Sequence, residues 1–335
     1  MITKLLDDSE ESIQYCADLI KKGEVVGMPT ETVYGLAGDA LNPAAIKKIF
    51  EAKGRPQDNP LIVHISDLKM LDELVYDIPV IAYNLADKFW PGPLTMVFKK
   101  NDIIPTETSG GLDTVGIRMP SHKTARDLIR VSGKPIAAPS ANISGAPSPT
   151  TAKHVFKDMK GKIPAILDGG ACEVGLESTV ISFENGGVRL LRPGFISVDD
   201  LRTIAPVFVD KGVTERLDEN AKVMSPGMKY KHYSPKADVI IIDSDLDNFI
   251  KYIGSNYSKG TFCVVFDSDK DMIKYPCLTY GDTSEENAKL LFDILREVDD
   301  MGAKRVYFRC PDRNGVGLAV YNRLLRAAGF EVIKI

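Results

Sequence analysis

The chain has 335 residues, which at ~150 residues per domain suggests about two domains. Hydrophobic residues make up 44% and charged residues 26%, a balance that excludes a disordered or collagen-like chain and leaves a sizeable core to bury. The longest apolar runs, such as 239–242, fall far short of the ~20 residues of a membrane helix. Asp7, Asp8, Glu10 and Glu11 stand where a secretory h-region would lie, so a cytoplasmic protein is expected.

Alternating and β-branched runs predict strands at 25–28, 61–65, 94–98, 114–118, 135–138, 163–167, 179–183 and 188–191. A helix is predicted over 43–52, with Asn42 as N-cap, Pro43 in the first turn and Ile46, Ile49 and Phe50 on one face. Further helices are predicted at 80–89, 123–131 and 197–203. The segment 201–236 carries 7 basic and 4 acidic residues, and its last stretch holds Lys222, Lys229, Lys231 and Lys236 without an acid. That charge suits a solvated linker, a nucleic-acid contact or a lid over an anion. From 237 onward strands at 239–242, 262–266, 305–308 and 331–335 alternate with helices at 247–257, 284–299 and 317–328, the grammar of a parallel sheet covered by helices. Thr283 and Glu286 form a capping-box pattern at the start of the long helix.

Five scattered cysteines without a C-x-x-C pair argue against a disulfide framework or zinc site, and four widely spaced histidines make no metal pattern. No G-x-G-x-x-G, Walker A, H-E-x-x-H or G-x-S-x-G motif occurs. The polar groups gather instead in loops: PTETVYGL from Pro29, KGRPQDNP from Lys53, WPGPLT from Trp90, VGIRMPSH from Val115, APSANISG from Ala138, ESTVI from Glu177 and LRPG from Leu191. Thr114 and Arg118, four apart on one strand, face the same side, where the arginine needs an anion, either a protein carboxylate or a ligand. Lys53, Arg55, Arg118 and Arg192 with nearby hydroxyls and amides describe a pocket for a phosphate-bearing anion. No Ser-His or Cys-His pair accompanies them, so catalysis by positioning and electrostatics, as in phosphoryl or nucleotidyl transfer, is expected.

These motifs in order, together with SPGMKYKHYSP from Ser225, closely resemble the long two-domain form of the YrdC family, the threonylcarbamoyl-AMP synthases. The resemblance implies an α/β fold, a YrdC-like twisted mixed sheet with helices followed by a smaller Rossmann-like parallel α/β/α domain. It divides the chain into a catalytic domain at 1–205, a basic linker or lid at 206–236 and a C-terminal domain at 237–335. It also implies a nucleotidyltransferase that joins L-threonine, bicarbonate or carbon dioxide, and ATP, for modification of tRNA beside the anticodon by partner proteins that transfer the threonylcarbamoyl group. By position, Lys53, Arg55, Ser140 and Asn142 match the catalytic tetrad, and Arg55, Asn59, Thr114, Ser140, Ser148, Arg192 and Tyr230 the ATP contacts. Thr32, His64, Arg118, the backbone of Ala138 and Ser178 match the threonine contacts. Mg²⁺ is expected on the nucleotide phosphates, with no metal held by the protein itself.

Two other classes remain open at this point. The lysines around Tyr230 and Tyr233 suit a single-stranded RNA-binding module, although a pI of about 5.7 weighs against it. A carbamoyltransferase is the other; such proteins usually carry zinc-finger and acylphosphatase regions, for which this chain has neither cysteines nor length. Direct tRNA contact is not required by the enzyme reading.

Overall fold

The computed structural model describes residues 1–56, 59–213, 215 and 233–335. The chain divides into two compact units, Met1–Ser144 with Ser148–Lys229, and Gly145–Pro147 with Tyr230–Ile335. Among the described residues no helix is long and apolar enough to cross a membrane.

The first unit is built on a mixed sheet of β1 Lys4–Leu6, β2 Val26–Met28, β3 Gly35–Asp39, β4 Ile62–His64, β5 Val75–Tyr76, β6 Leu94–Lys100, β7 Thr114–Arg118, β8 Ile136–Ala137, β9 Ala165–Leu167, β10 Thr179–Glu184, β11 Gly187–Arg192 and β12 Val207–Val209. Their order is β1-β9-β2-β3-β8-β4-β7-β6-β10-β11-β12, with β5 on β6. The β2–β3, β8–β4 and β6–β7 pairs are antiparallel and the β4–β7 and β6–β10 pairs parallel, so several strand ends carrying motif loops meet in the middle of the sheet.

One face of this sheet is closed by two helices, Glu10–Lys21 and Lys123–Ser132. Ile13, Cys16, Ala17 and Ile20 of the first recur at helical spacing and pack with Ala125, Leu128 and Ile129 of the second on Val26, Met28, Ile136 and Leu167. Each large apolar side chain so buried contributes ~1.5–3 kcal/mol. Ser9 caps the first helix by accepting from the Ser12 amide. The helix Pro43–Lys53 starts on Asn42, whose side chain accepts from Ala44 and Ala45, and ends at Gly54 with φ 63°. That left-handed residue stops the helix and turns the chain directly into Arg55.

The second unit is an all-parallel five-stranded sheet, β13 Asp238–Asp243, β14 Thr261–Val265, β15 Cys277–Thr279, β16 Arg305–Arg309 and β17 Val332–Lys334, in the order β15-β14-β16-β13-β17. The helix Ser284–Asp300 opens with the Thr283–Glu286 capping box, both arms of which are formed. Its buried Ala288, Leu291, Phe292, Leu295 and Val298 make the expected apolar stripe. All five cysteines are free thiols, and burial pushes Cys16 and Cys263 up to about 12.

Candidate active site

The strand register sets out the site before any side chain is considered. His64 on β4 pairs with Arg118 on β7, Arg118 with Thr95 on β6, Thr95 with Val180 on β10, and Val180 with Arg192 on β11. Residues in register across neighbouring strands share a face, so His64, Arg118, Thr95 and Arg192 form one row across the sheet. One row further, Ile62, Gly116 and Val97 lie in a cleft with Thr114, Val180 and Pro60. Thr114 thus stands on the face of Arg118, two pleats away.

The β2–β3 loop folds against this row. The Thr30 hydroxyl accepts from the Thr32 and Val33 amides and donates to the Val33 carbonyl at 2.6 Å, a local turn that aims the next two side chains inward. Thr32 Oγ1 accepts from Arg118 Nη1 at 2.8 Å, and Glu31 Oε1 lies 2.7 Å from Arg118 Nη2. Both members of that ion pair are buried. The anion that the inward arginine requires is therefore supplied, in this structure, by a protein carboxylate. Burial opposes the charge on Glu31, but Arg118 and nearby backbone amides outweigh it and hold the carboxyl below its ordinary range. Burial and the neighbouring guanidinium push His64 down to about 3, so it is a neutral imidazole, with an Nδ1 that makes no hydrogen bond.

At the far end of the row, Arg192 Nε and Nη2 both donate to the Ser178 carbonyl, at 3.1 and 3.0 Å, and Nη2 also reaches Ser178 Oγ at 3.1 Å. Ser178 Oγ is shared with Thr95 Oγ1 at 2.7 Å. Ser148 Oγ donates to the buried carboxylate of Glu177, the residue that precedes Ser178.

A second cluster gathers at the end of the helix Pro43–Lys53. The buried Lys53 Nζ donates to the carbonyls of Ser140 and Asn142, the latter at 2.8 Å, and to Asn142 Oδ1 at 3.4 Å. The Ser144 amide donates back to the Lys53 carbonyl at 2.9 Å. Ser140 bridges to Gly35 and the Ala141 amide donates to the Tyr34 carbonyl, so this loop is pinned to the start of β3. Asn59 is buried, with an Oδ1 that makes no hydrogen bond. The Ala138 amide is taken by the Ile62 carbonyl.

Of the residues singled out in sequence, Thr32, His64, Arg118, Ser178 and Arg192 come together along the row, and Lys53, Ser140 and Asn142 in one hydrogen-bond network. Tyr230, with Lys222, Lys229 and Lys231, lies outside the described residues. Trp90 is a packing residue, buried, with Nε1 donating to the Leu94 carbonyl at 2.7 Å. Sequence reasoning did not single out Glu31, Thr95 or Glu177, although each sits inside a motif already noted. Thr95 is readable from the alternation of β6 once its register with Arg118 is known. A charged Glu31 inside a Thr-rich loop carries no periodic signal of its own.

The model of the Sua5/YciO/YrdC family, described as "Telomere recombination", matches residues 18–194, and that of the threonylcarbamoyl-AMP synthase C-terminal domain matches 196–329. The threonylcarbamoyl-AMP synthase of Pyrococcus abyssi is 45% identical over 97% of this chain and 96% of its own length. The chain belongs to the threonylcarbamoyl-AMP synthase family. The Bacillus subtilis member is 43% identical over 99% of this chain and 97% of its own. A crystal structure of P. abyssi Sua5 complexed with L-threonine is 42% identical and superposes with a TM-score of 0.93, covering the whole of both chains. The α/β fold expected from the family resemblance, a mixed sheet followed by a smaller parallel one, is thus the fold of the family's solved members.

Proposed function

We propose that this chain is a threonylcarbamoyl-AMP synthase, making threonylcarbamoyl-adenylate and pyrophosphate from L-threonine, bicarbonate or carbon dioxide, and ATP. The observation that carries the reading is the row of His64, Arg118, Thr95 and Arg192 on one sheet face, in a chain similar along its length to proteins of that name. In this reading L-threonine lies against Thr32, His64, Arg118, the Ala138 backbone and Ser178. ATP lies against Arg55, Asn59, Thr114, Ser140, Ser148, Arg192 and Tyr230, with Lys53 and Asn142 beside the reacting phosphate. The chain divides, on the same reading, into a catalytic part at 1–205, a connecting segment at 206–236 and a C-terminal part at 237–335; β12 is then the portion of the connecting segment that pairs with β11.

The chemistry follows from the charges. The threonine amine adds to carbon dioxide, gives up a proton and becomes a carbamate. One carbamate oxygen attacks the α-phosphorus as the bond to the α–β bridging oxygen breaks, and pyrophosphate leaves with the electron pair. Lys53, Arg55 and Arg192 counter the charge that gathers on the phosphate oxygens, the form of catalysis suited to a site without a nucleophile-base pair. In this reading Mg²⁺ would be carried mainly on the phosphates of ATP and would add to that neutralisation. Partner proteins then pass the threonylcarbamoyl group to an adenosine beside the anticodon of tRNA.

The test is incubation with ATP, bicarbonate and each amino acid in turn, followed by mass spectrometry of the labile adenylate. Threonine should give the product in clear excess; equal yields from other amino acids would refute the substrate assignment.

A further inference from the structure

Resting on the reading above and deepening it, one more residue takes a place in the threonine subsite. Thr95 is fully buried on β6, and Ser178 is 1% exposed just before β10. Their hydroxyl oxygens lie 2.7 Å apart, and either can be the donor. Ser178 Oγ also meets Arg192 Nη2 at 3.1 Å. A guanidinium only donates, whereas each hydroxyl has one proton and two lone pairs. Among the described residues neither hydroxyl has a further partner. The two therefore hold two protons and one hydrogen bond between them, and one proton is left over.

A buried donor without an acceptor is costly, and buried polar groups are nearly always partnered. At a subsite for an amino acid, a spare proton marks the place of an acceptor such as a carboxylate oxygen. Which hydroxyl keeps it follows from where the two residues stand. Thr95 is in mid-sheet, in register with Arg118 on one side and Val180 on the other. Its methyl group turns toward Gly116, where an added Cβ would come within 3.1 Å of it, so its hydroxyl is aimed at Ser178. Ser178 lies at the end of its strand, among the groups read above as threonine contacts.

We infer that Thr95 donates to Ser178 Oγ, and that Ser178, with both lone pairs taken by Thr95 and Arg192, gives its proton to an acceptor oxygen of the bound amino acid. Thr95 is thus a positioning residue: it does not touch the substrate, and it fixes the Ser178 hydroxyl as a donor. The reverse order, with Ser178 donating to Thr95, leaves the substrate only a lone pair and makes the opposite prediction for a variant without the Thr95 hydroxyl.

The experiment measures L-threonine and ATP affinity by calorimetry on the full-length wild type, Thr95→Val, Thr95→Ser, Ser178→Ala and the double variant Thr95→Val with Ser178→Ala, with circular dichroism reporting the fold. Thr95→Val should weaken threonine binding about three- to tenfold, the size of one hydrogen bond, and Thr95→Ser should restore it. ATP affinity should hold, because Arg192 keeps its two hydrogen bonds to the Ser178 carbonyl. In the absence of the Ser178 hydroxyl, Thr95→Val should add no further loss, since Thr95 acts only through that group. Unchanged or tighter threonine binding by Thr95→Val, which the reverse order predicts, would overturn the inference. So would an equal loss for ATP, a loss that Thr95→Ser does not restore, or additive losses in the double variant. If Thr95→Val does not fold, Thr95→Cys takes its place; its weak thiol donor should give a smaller threonine loss, and no loss there would also overturn the inference. A wild type that binds ATP but no threonine would instead refute the threonine subsite itself, and this inference with it.

Discussion

His64 ties the stability of the first unit to pH in a window that can be isolated. In the unfolded chain its imidazole titrates near 6.5, whereas in the folded protein burial and Arg118 hold it down to about 3. Between those values the unfolded state takes up a proton that the folded state refuses, so stability falls as pH falls, by about 1.4 kcal/mol per pH unit. From about pH 7.5 to about pH 5 the loss traceable to His64 is therefore about 2 kcal/mol. Glu31 does not interfere there. Its carboxyl is held below the ordinary 4.5, so its contribution is present above that value and is lost only as pH falls through the lowered pKa. The assay is urea unfolding at several pH values, followed through the fluorescence of Trp90, the chain's single tryptophan, which lies in the first unit. His64→Gln should remove about 2 kcal/mol of pH dependence across the window. Wild type and variant losing the same stability between those two pH values would refute the buried neutral histidine.

Three further outcomes follow from the same geometry. Arg55→Ala should lower pyrophosphate release by about a hundred- to a thousandfold with an unchanged far-ultraviolet dichroism spectrum, the loss that the proposed role of Arg55 in countering phosphate charge requires. Thr95→Val removes the 2.7 Å link to Ser178 Oγ and should cost about 1–2 kcal/mol in stability by urea unfolding, with a raised KM for threonine. Gly194→Ala would set a Cβ 2.3 Å from the Thr179 nitrogen and 2.7 Å from the Ser178 carbonyl carbon, so the backbone under Ser178 must shift. A destabilisation of about 2–3 kcal/mol and a raised KM for threonine are expected, checked by melting and steady-state kinetics.

Much of this architecture is legible in the sequence because the relevant signals are local. Asn42 and Pro43 announce the helix Pro43–Lys53, and the Thr283–Glu286 box announces Ser284–Asp300, since caps and first-turn prolines act within four residues. The regular alternation after residue 237 reads correctly as a parallel sheet. β3 escapes because Gly-Leu-Ala-Gly-Asp lacks β-branched residues, and its pairing with β2 and β8 forms it instead of its propensity. The helix Glu10–Lys21 carries its signal openly, with Ser9 as cap and Ile13, Cys16, Ala17 and Ile20 on one face. Ala152–Met159 is short, and its buried Ala152, Val155 and Met159 are too few to separate from a turn. In the site, the motifs place Arg118 on an inward face, but its partner Glu31 is 87 residues earlier and only the fold brings them within 2.7 Å. The His64–Arg118–Thr95–Arg192 row likewise depends on strand register, which no single strand encodes.

The most direct test of the account is the origin of one carbon. The protein is incubated with ATP, L-threonine and ¹³C-labelled bicarbonate, and the adenylate is examined by mass spectrometry. The account predicts a threonylcarbamoyl-adenylate that carries the label and forms with pyrophosphate in equal amount. An unlabelled threonyl-adenylate, or pyrophosphate released without need of bicarbonate, would contradict it.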